Sequence, residues 1–372
     1  MIFKGFLILL CGMPWGHLLF RKADIWHGTG HFFQVGLLII FCLSFLEKPR
    51  YVQILNKPLG IFTLWAGLVT SYWWFVLFTK AQQYPLKIFL PFFNFLCFVW
   101  FYKLSIEYLD KEKIEKILKW FRYSILLLLF YCVLQYLRLD EFFNGMSGHD
   151  ELVGTIGNAS HLAGYLAIVQ PIYFKKGLIN ILSLALLWLI ILIAGSASGI
   201  VVGLAVALFW LFMQKDKIWA LLGSISAFGI ITFIGIKYSQ FFTSSHRIEL
   251  WQLAFKTFKN HLITGLGLGS FGVQNFQLGG HWRHAHNEYF QLSAELGLVG
   301  LVLLIWCLRE YFRMFRTFKT DLTIKLASMF FGFCLLSMFT FNAHLWMLSS
   351  IGMTGYSFLY CLKNEENLEN QT

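Results

Sequence analysis

Long apolar runs recur along the whole chain, and shorter polar stretches separate them. A run of about 17–22 residues is long enough to cross the roughly 30 Å of hydrocarbon in a bilayer. Because lipid offers the backbone no hydrogen-bonding partner, such runs must form helices. The pattern predicts about twelve transmembrane helices, near residues 3–20, 29–46, 59–79, 85–106, 119–139, 161–174, 177–194, 198–213, 217–236, 291–308, 325–343 and 344–362.

The composition agrees with a protein whose surface faces lipid. Hydrophobic residues make up 58% of the chain and charged residues 13%, whereas a soluble domain carries roughly 25% charged residues. No linker or compositional break interrupts the sequence, so residues 1–372 are predicted to form a single transmembrane domain. The net charge of +11 is spread over short loops, which argues against a nucleic-acid partner.

Lysine and arginine cluster in alternate loops, and this predicts the orientation of the chain. Cytoplasmic loops of membrane proteins carry an excess of these residues, and the stretch 140–160 carries none. The pattern predicts that both termini are cytoplasmic. The basic clusters are Lys48, Arg50 and Lys57; Lys103, Lys111, Lys113, Lys116 and Lys119; Lys175 and Lys176; Lys215 and Lys217; and Arg309, Arg313, Arg316, Lys319 and Lys325.

Two polar segments, 140–160 and 237–290, are longer than the other connections, and both are predicted to lie outside the cytoplasm. The second lies between the ninth and tenth predicted helices and is not low in complexity, so a function is favoured over a simple connection. Within it, residues 246–260 have the pattern of an amphipathic helix that can lie along the membrane interface. The glycines of 265–272 permit tight turning and close backbone packing.

A cluster of polar side chains ends this long loop, at the predicted edge of the membrane. One interpretation is that an interfacial segment is naturally polar. A second is metal binding by two of three histidines, although no closed ligand set is apparent. A third is acid–base chemistry, in which a histidine takes a proton from a hydroxyl and an arginine holds a diphosphate. The cluster comprises His281, Arg283, His284, His286, Asn287 and Glu288, and Arg247 lies earlier in the same loop.

Four motifs in this order resemble the O-antigen ligase and O-antigen polymerase superfamily, over roughly residues 150–305. They are GTIGNASHLAGYLA, the pattern of Arg247, Trp251 and Ala254, GLGLGSF, and HAHNEYFQLSAELGLVGL. The resemblance implies an all-α, GT-C-like polytopic protein of the bacterial inner membrane. It also implies an inverting glycosyltransferase that needs no metal or cofactor. The donor would be a glycan on an undecaprenyl-diphosphate carrier, and the acceptor would be lipid A-core, a growing glycan or a protein.

The resemblance further implies roles for individual residues. His286, with His284 just before it, would be the general base for the acceptor hydroxyl. Arg247 would bind the donor diphosphate and stabilise charge on the leaving group. Asn287, beside His286, is expected to contact substrate. The family's second arginine, near the start of the helix at 198, is missing because Ala197 stands in its place. Arg138, Arg21, Lys22 and Arg283 either substitute for it or are ordinary interfacial residues whose charged ends reach toward water.

Three further polar residues have two interpretations each. Asn158 and His161 lie where the first outer segment meets the next predicted helix, so they either cap that helix or line the same cavity as the histidines. Glu295 falls just inside the next apolar run. An ionisable group there either belongs to a site or, at such a shallow position, faces the interface.

Two other classes of function stay open beside a glycosyltransferase. A transporter or flippase of a lipid-linked saccharide should place polar residues in the middle of its helices, and the predicted helix interiors are nearly free of them. A non-catalytic scaffold of an envelope complex would have no use for the histidine cluster. The sequence therefore favours a ligase-like transferase, with a polymerase as the alternative.

Overall fold

The computed structural model describes residues 1–15, 25–47, 49, 57–81, 85–139, 152–214, 247–278, 280, 283–317, 320–340 and 346–369. Within these ranges every regular element is a helix. The α-helices are α1 (Ile2–Gly12), α2 (Ile25–Ser44), α3 (Lys57–Ala81), α4 (Pro85–Tyr108), α5 (Lys111–Tyr136), α6 (Ala159–Val169), α7 (Leu178–Ile193), α8 (Ala197–Met213), α9 (Arg247–Asn260), α10 (Ser270–Gln277), α11 (Glu288–Thr317), α12 (Asp321–Leu336) and α13 (Trp346–Glu369). Short 3-10 helices follow α1 at Met13–Trp15 and α6 at Gln170–Tyr173.

The predicted apolar runs overlap these helices, apart from 217–236, which lies outside the described residues. Three helices in the described ranges are long and apolar enough to cross a membrane, at Pro58–Val76, Lys111–Tyr136 and Glu288–Phe315. Large apolar side chains on them are exposed, such as Leu64 at 68% and Phe130 at 59%, as lipid-facing surfaces require. The all-helical class of the fold is confirmed, and the count of twelve spans stays a prediction.

Helix α6 is buried on all sides. Every residue in it except Ser160 is buried, and a helix that is apolar all round belongs in a core. A Cβ on Gly199 of α8 would lie 2.5 Å from the Cβ of Ala163, so the glycine lets the two backbones approach closely. With 11 residues, α6 rises only about 17 Å, which is less than the thickness of the hydrocarbon layer.

Four helix ends meet on one side of the structure. The side chain of Gln135, in the last turn of α5, accepts hydrogen bonds from the backbone N–H groups of Val153 and Gly154, which lead into α6. The carbonyl of Ser337, just after α12, accepts from the N–H of Glu288 at the start of α11. Leu336 packs where a Cβ on Gly164 of α6 would lie, so the two pairs of ends are neighbours.

Candidate active site

The helix expected at 246–260 spans Arg247–Asn260, and its apolar stripe packs against α11. Ala254 is fully buried, whereas Ile248 and Phe255 are about half exposed and face outward. A small hydrophobic cluster fixes α9 to the rest of the loop and to α11. Its buried members are Leu250, Ala254, Phe271, Ala285 and Ala294.

Trp251 connects α9 to the histidine segment. Its indole N–H donates to the carbonyl oxygen of Ala285 at 3.0 Å, and its ring packs on Phe290 of α11 with centroids 5.6 Å apart. Arg247 precedes Trp251 by four residues and therefore lies on the same face of α9. This face is directed at the residues around position 285.

His286 is held in the left-handed backbone region, with a φ of 53°. Few residues other than glycine adopt this region, although histidine does so more often than most. Burial, together with the positive charge of Arg247, lowers the pKa of the His286 imidazole from 6.5 to about 4. The imidazole is therefore neutral at physiological pH and able to accept a proton.

The hydrogen bond from Trp251 to Ala285 brings the face of α9 that carries Arg247 to the residue before His286, and the charge of Arg247 acts on the His286 imidazole. Burial also lowers the pKa of Arg247, but a guanidinium remains protonated in proteins. The site thus combines a neutral base with a fixed positive charge. The half-buried guanidinium of Arg247 is suited to bind an anionic group such as a phosphate, because its planar fork matches the oxygens.

The N-terminus of α6 brings a second histidine to this site. The side-chain oxygen of Asn158 accepts a hydrogen bond from the N–H of His161 at 3.1 Å, so Asn158 caps α6. His161 is buried, and its ring lies within electrostatic range of His286. Of the two interpretations of this pair, capping holds for Asn158. The predicted contact of Asn158 and His161 with substrate stays a prediction.

Asn287 fastens the start of α11. Its amide nitrogen donates to the carbonyl of Met338 at 2.9 Å, and its side-chain oxygen accepts from the N–H groups of Tyr289 and Phe290 at 3.0 and 3.1 Å. These contacts cap α11 and tie it to the end of α12. They give Asn287 a structural role beside His286, and its expected contact with substrate stays a prediction.

The glycine-rich turn fills a break in α11. At Gly297 the helix adopts a φ of 65° and a ψ of −166°, which interrupts its hydrogen bonding. The N–H of Gly267 donates to the carbonyl of Glu295 at 2.7 Å, and the N–H of Leu298 donates to the carbonyl of Leu262 at 2.7 Å. A Cβ on Gly265 would lie 2.3 Å from the carbonyl carbon of Glu295. The expectation that these glycines serve close backbone packing is confirmed.

An apolar cavity of about 220 Å³ lies next to this site, among α3, α4, α11, α12 and α13. Glu288 and Tyr289, which directly follow the histidine segment, form part of its wall. The rest is almost entirely apolar. It includes Phe62, Phe95, Phe98, Leu304, Phe330 and Met353.

Four of the remaining residues singled out in the sequence lie within the described ranges: His284, Arg283, Arg138 and Ala197. His284 is half-buried, with its Nδ1 3.4 Å from the amide nitrogen of Gln291. Arg283 is exposed, and its backbone packs on Gly272 of α10. Arg138 is exposed beyond the end of α5, with a φ of 57°. Ala197 is the first residue of α8. Arg21, Lys22 and His281 lie outside the described residues.

The described ranges contain no set of ligands for a metal ion. No group of three histidine, cysteine, aspartate or glutamate side chains there could hold a metal ion. Because His281 lies outside these ranges, the alternative that includes it stays untested.

Two buried residues of α11 were not fully recognised from the sequence. Glu295 is fully buried and does not face the interface, so the shallow, interfacial interpretation is wrong. Gln291, one turn earlier, is 1% exposed and contacts the histidine segment. The signal that could have identified the pair is the spacing of two polar residues by four positions within an apolar run, which places them on one helix face.

Comparison with known proteins finds one family for part of the chain. Residues 182–305 match the family model described as O-antigen ligase, a range that includes Arg247, His284 and His286 but not Asn158 or His161. No curated protein matches the chain. The match confirms the resemblance to the O-antigen ligase and polymerase superfamily that the motifs carry.

Proposed function

We propose that the protein transfers a glycan from an undecaprenyl-diphosphate carrier to an acceptor hydroxyl on the periplasmic face of the bacterial inner membrane, as an O-antigen ligase does. The acceptor oxygen attacks the anomeric carbon from the face opposite the diphosphate, so the configuration inverts. The bond between that carbon and the phosphate oxygen breaks, and undecaprenyl diphosphate leaves with the electron pair. The acceptor proton passes to the neutral imidazole of His286, and Arg247 stabilises the charge on the diphosphate.

The proximity of Arg247 and His286 is the observation that carries this proposal. The charge on Arg247 contributes to the lowered pKa of the imidazole, and the Trp251 bond holds the two segments together. An inverting transfer to a hydroxyl requires a base on one side of the sugar and a cation beside the leaving group. The pair supplies both without a metal ion.

The distribution of basic residues supports a periplasmic position for the site. His286 precedes α11, whereas Arg309 and Arg313 lie near the other end of that helix. At 1.5 Å per residue, the start of α11 and Arg309 are about 30 Å apart, which is close to the thickness of the hydrocarbon layer. Because basic loops favour the cytoplasm, the histidine segment is expected on the opposite side.

The apolar cavity supports a lipid-linked donor. Its wall begins at Glu288 and Tyr289, next to the histidine segment, and continues along aromatic side chains. A diphosphate at Arg247 would leave the attached hydrocarbon close to this surface. A soluble nucleotide-sugar donor has no hydrocarbon chain that would bind to such an apolar surface.

A polymerase of lipid-linked repeat units would use the same pair with a different acceptor, a hydroxyl of a second lipid-linked glycan. A transporter or flippase would need neither a neutral base nor a leaving-group cation at one helix end. The reaction products therefore distinguish a ligase from a polymerase. Loss of activity in the His286 and Arg247 variants would argue against a transporter or flippase.

The test is deletion of the gene in its host, followed by complementation with wild type, His286→Ala or Arg247→Ala. Lys256→Ala, an exposed change on the same helix as Arg247, is the matched control. We expect both site variants to lose at least a hundredfold in transfer while Lys256→Ala complements fully. Surface polysaccharide on gels then identifies the reaction: uncapped lipid A-core with polymer retained on its carrier indicates a ligase, and single-repeat products indicate a polymerase. Full complementation by both site variants would contradict the proposal.

A further inference from the structure

Two buried side chains in the first turns of α11 connect the glycine-rich turn to the histidine segment. Oε1 of Glu295 accepts hydrogen bonds from the backbone N–H of Phe271 at 3.3 Å and from the amide nitrogen of Gln291 at 3.2 Å. Phe271 lies in the first turn of α10, where backbone N–H groups favour a negative group. Glu295 therefore joins α10 to α11.

Gln291 extends this connection to the backbone beside His286. Its side-chain oxygen accepts from the N–H of Ala285 at 3.0 Å, and its amide nitrogen lies 3.4 Å from Nδ1 of His284. The carbonyl of the same Ala285 accepts the Trp251 hydrogen bond. Both polar groups of the Ala285 backbone are thus held, one from α11 and one from α9.

The need for such support comes from the backbone of His286. A residue other than glycine in the left-handed region persists only when its surroundings hold it there. Immediately before His286, Ala285 is held by Gln291 and Trp251, and immediately after it Asn287 caps α11. Gln291 and Glu295 connect this support to the glycine-rich turn through side-chain hydrogen bonds, in addition to the packing of Phe271 near Ala285 and of Gly272 on Arg283.

We infer that Gln291 and Glu295 are positioning residues, which hold residues 284–286 so that His286 meets Arg247 and the acceptor hydroxyl. They act through the backbone and take no part in the proton transfer. The inference rests on the proposed role of His286. A misplacement of a catalytic group by about 1 Å costs roughly a hundredfold in rate, which sets the scale of the effect.

The test uses the full-length protein in lipid nanodiscs with three changes. Gln291→Met keeps the length of the side chain and removes its hydrogen bonds, and Glu295→Leu removes the carboxylate. Glu295→Gln keeps an oxygen that can accept the same two hydrogen bonds. Ser293→Ala is the control, because this buried hydroxyl bonds only within α11 in the described contacts, to the carbonyl of Phe290.

Two measurements are made on each variant: hydrogen exchange of the peptide covering residues 283–287, and transfer kinetics as a function of pH. We expect Gln291→Met and Glu295→Leu to exchange faster and to lose roughly ten- to a hundredfold in kcat, with a smaller change in the KM for the donor. The acid limb of their pH profile should move upward, because a loosened His286 is better solvated and further from Arg247. Glu295→Gln and Ser293→Ala should stay within about fivefold of wild type.

The outcomes separate this inference from the proposed function. If His286→Ala is active, the proposed function fails whatever Gln291 does. If His286→Ala is inactive while Gln291→Met exchanges faster yet keeps the wild-type kcat and pH profile, the positioning role is wrong. Should Gln291→Met and Glu295→Leu fail to fold, Glu295→Gln still decides: loss of activity with unchanged exchange would mean that the carboxylate acts chemically, which also overturns the inference.

Discussion

The indole nitrogen of Trp251 lies 3.0 Å from the carbonyl oxygen of Ala285. This hydrogen bond spans the distance between α9, which carries Arg247, and the residue just before His286. A cation and a base that approach each other from separate segments need a contact of this kind to keep their spacing. The geometry of the proposed site therefore depends on an indole that takes no part in the chemistry.

Trp251→Phe should lower transfer about fivefold to tenfold. The change keeps an aromatic ring against Phe290 and removes the N–H, and a net hydrogen bond contributes about 1 kcal/mol. Trp120→Phe is the control, because Trp120 is 55% exposed on α5. The check is kcat in nanodiscs. Equal effects of the two changes would show that the indole contact does not hold the site together.

The pH profile of transfer should report His286 with a defined sign. The imidazole must be neutral to accept a proton, so the rate falls as the pH drops through its pKa. For the free protein that pKa is lowered to about 4 by burial and by Arg247. The acid limb of kcat/KM should therefore lie near pH 4, with His161 as the other titratable group facing it.

Bound donor should move that limb upward. The negative diphosphate offsets the charge of Arg247, which raises the pKa of His286, so the acid limb of kcat should lie at higher pH than that of kcat/KM. For the same reason the residual activity of Arg247→Gln should show an acid limb above pH 4 in kcat/KM. A limb that stays in place or moves downward in this variant would contradict the assignment of the base.

Gly265→Ala should destabilise the protein more than Gly195→Ala. Both glycines have a similar left-handed φ, 67° and 66°, but a Cβ on Gly265 would lie 2.3 Å from Glu295 backbone and one on Gly195 would have its nearest neighbour 3.9 Å away. The backbone strain of alanine costs roughly 1–2 kcal/mol at either position, and the clash adds to it only at Gly265. Thermal unfolding in detergent measures the difference. Equal losses would mean that the turn does not occupy the break in α11.

Asn287→Ala should lower the stability of the protein by about 1–3 kcal/mol. It removes the cap of α11 and leaves the carbonyl of Met338 without this donor. Asn287→Asp keeps the capping oxygen and loses only the donor, so its loss should be smaller. Unfolding midpoints and the donor KM are measured together. A raised KM in both variants with unchanged midpoints would instead support the contact with substrate.

Much of the helical architecture follows from the sequence, because lipid forces each long apolar run into a helix. Which helices and loops pack against one another does not follow from the sequence. The run around Gly297 has the composition of an unbroken helix, and glycine is common in transmembrane helices, so the break was not predicted. The sequence left two interpretations of Glu295 open, a site residue or a residue facing the interface, because sequence position alone gives only its depth along α11. Its burial depends on the covering turn from residues 262–267, a contact between segments that no local pattern encodes.

The candidate site divides in the same way. Arg247 and His286 were identified from motifs, and the capping role of Asn158 followed from its position before α6. Gln291 and the Trp251 contact were missed as site elements, because each works through the backbone of Ala285, a residue with no side-chain chemistry of its own.

The interrupted helix α11 sets a requirement on how the protein is assembled in the membrane. In the hydrocarbon layer an unpaired backbone group is costly. The backbone groups freed at the interruption near Gly297 are paired with carbonyl and N–H groups of residues 262–267, which come earlier in the chain. This earlier segment is translated before α11, so it has to pack against the break when α11 enters the bilayer. Deletion of residues 262–267 would therefore leave unpaired backbone groups in α11, and we expect the shortened protein to be degraded and not to persist as an inactive membrane protein.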